Sequence, residues 1–150
     1  DLIYQYGQER FSRRIAKAIC DRRKKERIAT TAKLAEIVAS AIPAPARRTR
    51  TGVHPATRTF QALRIAVNDE MAALQKLLDT LPEALNSGGR AAVISFHSLE
   101  DRPVKHTFAE QARAGQVELL TRKPITPDKD EIARNPRSRS AKLRGIMRVG

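Results

Sequence analysis

Apolar residues first recur at helical spacing. Phe11, Ile15, Ala18 and Ile19 share one face between Leu2 and about Lys25, with arginine and lysine on the others, which predicts one basic amphipathic helix. Leu34, Ile37, Val38, Ala41 and Ile42 form a second stripe over 31–42. Thr30 or Thr31 is placed to cap it, and Pro43 stops it. The stretch PAPARRTRTGV, 43–53, has no period and reads as an exposed loop. Beyond Pro55, the residues Phe60, Leu63, Val67, Met71, Leu74, Leu78 and Leu81 step by three or four, predicting a single helix of about 24 residues.

Pro82 and the turn NSGG, 86–89, end the helical region. Ala91 to Phe96 is then an apolar run too short for a buried helix, and Arg90 to Phe96 is expected as a buried strand. Ser98-Leu-Glu-Asp101 has the spacing of a capping box, so the strand is expected to run straight into a helix over 99–112, with Ser98 and Asp101 as the capping pair. A strand over 117–123 and a short helix from Thr126-Pro127 to about Arg134 follow. In 141–149, Ala141, Leu143, Gly145, Met147 and Val149 alternate with Lys142, Arg144, Ile146 and Arg148, the pattern of a strand with one wetter face.

This order of elements makes the chain an α/β protein with a helical front. Its 150 residues suffice for one hydrophobic core. The 29 Lys and Arg against 16 Asp and Glu leave a formal charge of +13, which bears on partners and makes a polyanion the first candidate. The charge lies in three blocks. Residues 10–33 hold ten Lys or Arg against Asp21 and Glu26; 47–64 hold Arg47, Arg48, Arg50, Arg58 and Arg64 with no acid; and no acid follows Glu131. Aromatic residues are 4% with no Trp, which disfavours a stacking platform and points to phosphate contact. The single Cys20 excludes a disulfide framework or a zinc cluster, and an intracellular location is expected. No apolar stretch approaches the roughly 20 residues needed to span a bilayer, so a soluble protein is expected.

Candidate chemistry sits where strands end. Ser95, His97 and Ser98 fall at the carboxyl end of the first strand, the place where open α/β sheets bind ligands, and are candidates to line a substrate pocket. In NPRSRSAKLR, 135–144, Arg137 and Arg139 are placed to fork onto phosphate oxygens with Ser138 donating beside them; loop arginines paired to acids are the alternative. In HPATRTFQALR, 54–64, Arg58 and Arg64 face solvent or ligand, while His54 or Thr57 caps a helix. No Ser-His-Asp order, HExxH, Walker loop or GxGxxG occurs.

Four segments, YGQERFSRRIAKAI (6–19), HPATRTFQALRIAVNDE (54–70), GGRAAVISFHSLEDRPVK (88–105) and NPRSRSAKLR (135–144), closely resemble the RsmH (MraW) family. These are S-adenosylmethionine-dependent methyltransferases that modify the exocyclic amine of a cytosine in 16S ribosomal RNA. The resemblance implies the closing half of a Rossmann-like methyltransferase sheet in 54–150, preceded in 1–50 by the end of an inserted, mostly helical substrate-recognition domain. It implies small-subunit ribosomal RNA as partner, a cytoplasmic location, and neither DNA nor membrane binding. The cofactor, S-adenosylmethionine, is expected to be bound mainly by residues upstream of this chain, leaving no catalytic, cofactor or metal residue within it. One departure is Pro103, expected in the first helical turn, where the family more often has an aliphatic residue. Two other classes, a non-catalytic RNA-binding module and a helical protein-interaction domain, fit the composition as well.

Overall fold

The computed structural model describes residues 1–47 and 53–150 and divides into two compact units, Asp1–Glu70 and Met71–Gly150. The first unit is helical. Its opening segment is two helices where one was expected: α1 (Leu2–Gly7) ends as Gln8 turns left-handed at φ 49°, and α2 (Ser12–Arg23) starts after a turn in which Glu9 Oε1 accepts from Phe11 N at 2.9 Å. Periodicity could not show the break, because the apolar stripe of α2 continues the phase of α1. The second helix, α3 (Thr31–Ala41), begins as expected, with the Thr30 hydroxyl accepting from Lys33 N. Within the expected loop, Ala44–Arg47 form one helical turn, α4; Arg48 and Arg50 lie outside the described residues.

The long helix is also divided. α5 (Thr57–Val67) and α6 (Glu70–Ala84) are separated at Asp69, left-handed at φ 49°. An aspartate tolerates that conformation better than most side chains, and the seven-residue apolar stepping hides it. α1 lies closely on α5: a Cβ at Gly7 would stand 2.7 Å from the Arg58 carbonyl oxygen. Ile3, Ile15, Val38, Ile42 and Ala56 form the buried core of this unit, with Phe11, Leu34 and Phe60 packed around it.

The second unit is a three-stranded sheet under two helices. β1 (Arg90–Ser95), β2 (Val117–Leu119) and β3 (Lys142–Arg148) are ordered β1-β3-β2, and both pairings are antiparallel. β2 is shorter than the expected strand over 117–123, although Leu120 N and an Ile125–Leu143 bridge extend the ladder beside β3. α7 (Ser98–Arg113) packs on one face of this sheet, and Leu78, Val104, Phe108, Val117 and Ile146 are the buried core between helices and strands. Since α7 begins at Ser98, Pro103 is in its second turn and not its first; the helix runs through it with one ladder bond missing. The other proline has a visible consequence. Pro82 in the last turn of α6 cannot donate to Leu78 O, and that buried carbonyl accepts instead from Gln111 Nε2 of α7 at 2.7 Å.

Two expectations about the sheet are corrected. β1 is not buried on both sides: its residues alternate, with Ala91, Val93 and Ser95 turned to the core while Ile94 and Phe96 are 55% and 53% exposed. In β3 the charged face expected to be wetter is the packed one. Register puts Lys142, Arg144, Ile146 and Arg148 on the side of α7, where Ile146 is fully buried. The charges there are matched within the fold: Arg144 and Lys142 meet Asp101, and Arg148 Nη1 donates to the carbonyls of Pro82, Glu83 and Leu85 at the end of α6. The opposite face carries Ile94, Leu120 and Ile125 in solvent. α8 (Lys129–Arg134) and a 3-10 turn (Pro136–Ser140) lead into β3.

Candidate functional site

At the end of β1 the chain enters α7 through an extended residue, His97. His97 is the cap, one position before the expected one. Its Nδ1 accepts from Glu100 N at 3.3 Å, and Glu100 Oε2 accepts from Phe96 N at 2.9 Å, which reproduces the reciprocal logic of a capping box with histidine in the hydroxyl's place. Because Nδ1 accepts, the ring proton sits on Nε2, which lies 3.1 Å from Glu100 Oε1 at an angle too poor for a hydrogen bond. Both ring nitrogens are thus turned toward Glu100. Ser95 is buried, with its hydroxyl donating weakly to Lys142 O at 3.5 Å, and Ser98 is the first helical residue.

Asp101, expected to cap, serves a different contact. Its carboxylate accepts from Arg144 Nε at 2.8 Å and Nη2 at 3.4 Å, and from Lys142 Nζ at 3.1 Å, fastening the first turn of α7 to the middle strand. The Arg144 hydrogen bond, with Lys142 adding to it, holds the Asp101 carboxyl below its ordinary value against the opposing effect of burial. Asp101 and Arg144 are 43 positions apart, so only the sheet register could have revealed the pair.

The turn before β3 sorts its residues cleanly. Ser138 is buried and donates its hydroxyl to Asn135 O at 2.8 Å, while Arg137 and Arg139 on either side of it are exposed. A buried serine closing the turn aims both guanidinium groups outward. In the first unit, Arg58 and Arg64 have different settings. Arg58 is exposed but donates through Nη1 to Gln8 O at 3.1 Å, and Arg64 forms a two-point pair with Glu70 at 2.7 and 2.9 Å. Neither His54 nor Thr57 caps α5, whose N-cap is Ala56 without a side-chain bond; His54 Nδ1 instead accepts from Ala56 N at 3.1 Å, in the turn that precedes the helix. Arg13, Arg14, Lys17 and Arg23 on α2 and Lys24 and Lys25 just after it are exposed, and Arg22 pairs with Glu26.

Chemically, the described residues offer hydrogen-bond donors and fixed positive charge, at outward guanidinium groups above all. Such groups suit phosphate oxygens. Among the described residues, no helix is long and apolar enough to cross a membrane.

Residues 1–149 match the model of the MraW methylase family. Proteins named ribosomal RNA small subunit methyltransferase H are 58% identical in Gloeobacter violaceus, 53% in Persephonella marina and 56% in Synechococcus elongatus; each alignment covers 99% of this chain and 44%, 50% and 48% of the relative. The chain spans about half the length of the curated relatives it matches. From the match over almost its whole length, the chain belongs to the MraW methylase family.

Proposed function

We propose that the chain is the RNA-holding part of a methyltransferase that moves a methyl group from S-adenosylmethionine to the exocyclic amine of a cytosine in small-subunit ribosomal RNA. Family membership supports the activity, and the observation that carries the role of this chain is the outward pair Arg137 and Arg139 on a turn closed by buried Ser138. On this reading residues 1 to about 50 end a helical recognition insert, and 54–150 belong to the catalytic domain. A Rossmann-like sheet completed by further strands is supported by the open edge of β1 and by the uncovered apolar face of Ile94, Leu120 and Ile125, which an α/β sheet covers with helices. A cytoplasmic location follows from the proposed substrate.

Among the described residues, the side chains at the end of β1 do not suit the cofactor. At the end of β1, where such a ligand is expected, Ser95 donates to a backbone carbonyl and His97 turns its nitrogens to Glu100; three clefts elsewhere are lined by helix-borne side chains and turns without glycine. No step of the transfer is therefore assigned to these side chains. Ser95, His97 and Ser98 are proposed to shape the edge of the base pocket by fixing the start of α7. An amine acceptor must be positioned and its N–H groups met by acceptors as charge develops, so holding the strand still is itself a contribution to rate.

The test is the double variant Arg137→Gln/Arg139→Gln in the complete enzyme. Loss of two phosphate contacts is expected to raise KM for ribosomal RNA about tenfold or more at moderate salt, with kcat nearly unchanged. An unaltered KM contradicts the assignment.

A further inference from the structure

A cleft of about 560 Å³ in the first unit brings together residues from three separate stretches of the chain. Arg10 and Phe11 come from the turn between α1 and α2, Ile42 and Ala46 from the end of α3 and α4, and His54, Thr57 and Arg58 from the start of α5. The Arg10 guanidinium lies over the Phe11 ring, 4.6 Å from its centre, and Arg10 is exposed. Arg58, held by its bond to Gln8 O, keeps its remaining donors, and His54, fixed at Nδ1 by Ala56 N, keeps Nε2. Glu9, the one acid among the described lining residues, is buried and has one oxygen taken by Phe11 N.

We propose that this cleft takes one unstacked nucleotide of single-stranded RNA, its base against the Arg10–Phe11 pair and its phosphate on Arg58 and His54. The inference rests on the RNA-holding role above and gives it a site in the first unit. A planar guanidinium backed by an aromatic ring is a surface on which bases stack, and a second guanidinium with a ring nitrogen provides donors for phosphate. The volume admits a nucleotide, and a base paired in a duplex has no free face to offer. That makes the cleft selective for strand form.

The experiment measures fluorescence anisotropy of the 150-residue chain with a labelled single-stranded 12-mer RNA and with the same sequence as a duplex. Arg10 is exposed, so Arg10→Gln leaves the fold intact. The expected result is about a tenfold loss of affinity for the single strand and a much smaller loss for the duplex. Amide NMR shifts on adding cytidine 5′-monophosphate should cluster at residues 9–11 and 54–61. Equal losses for both RNA forms, no loss for either, or shifts elsewhere overturn the cleft while RNA binding itself stands. No binding of either RNA by the unaltered chain overturns both this and the reading on which it rests.

Discussion

At residue scale, the contacts that matter most join positions far apart in sequence. Asp101 is the only carboxylate the described structure gives to Arg144, and both are largely buried. Asp101→Asn leaves a guanidinium without its counter-charge, so it is expected to cost about 3 kcal/mol in urea unfolding at neutral pH. The pH dependence has a definite sign. The carboxyl titrates lower in the folded chain than in the unfolded one, so its contribution is complete above the ordinary value of 3.8 and fades as pH falls through the lower folded value. The difference between wild type and variant should accordingly be constant through the neutral range and shrink only in strong acid. His97→Ala removes the α7 cap and is expected to cost about 1 kcal/mol, largely restored by His97→Asn, which also caps. Thermal melts of the three proteins decide it; an alanine variant as stable as wild type contradicts the capping role. Sequence reading took Ser98 as the cap and His97 as a pocket residue; the structure moves the cap one position back to His97, because the hydroxyl is the commoner cap and nothing in the local pattern favours the imidazole.

At element scale, periodicity gave the location of helices and strands but not their interruptions. The two breaks, at Gln8 and Asp69, are single left-handed residues, and neither is a glycine or a proline that would have marked them. The charged alternation of β3 misled for another reason. Alternation shows that a strand has two faces, whereas which face is covered depends on the charges that arrive from α7 and α6. Close approach of α1 to α5 is testable directly. Gly7→Ala sets a Cβ 2.7 Å from a backbone oxygen that cannot rotate away, so the variant should lose about 1–3 kcal/mol. Chemical denaturation measures it, and full retention of stability would mean that the two helices do not meet so closely.

For the whole molecule, composition bears on the kind of partner to expect and is silent about geometry. The net charge of +13 pointed to a polyanion, and the structure then separated arginines that bind within the fold, Arg144 and Arg148, from those facing outward, Arg137 and Arg139. The four long motifs carried the family, and the match over residues 1–149 agrees with them. The cleft of the first unit was not legible, since its walls come from three segments whose meeting depends on the fold. On the proposed reading this chain holds RNA through its phosphates. The affinity of the 150-residue chain for RNA should then fall at least tenfold between about 50 and 200 mM salt, as several displaced counterions require. An affinity that stays flat over that range contradicts it.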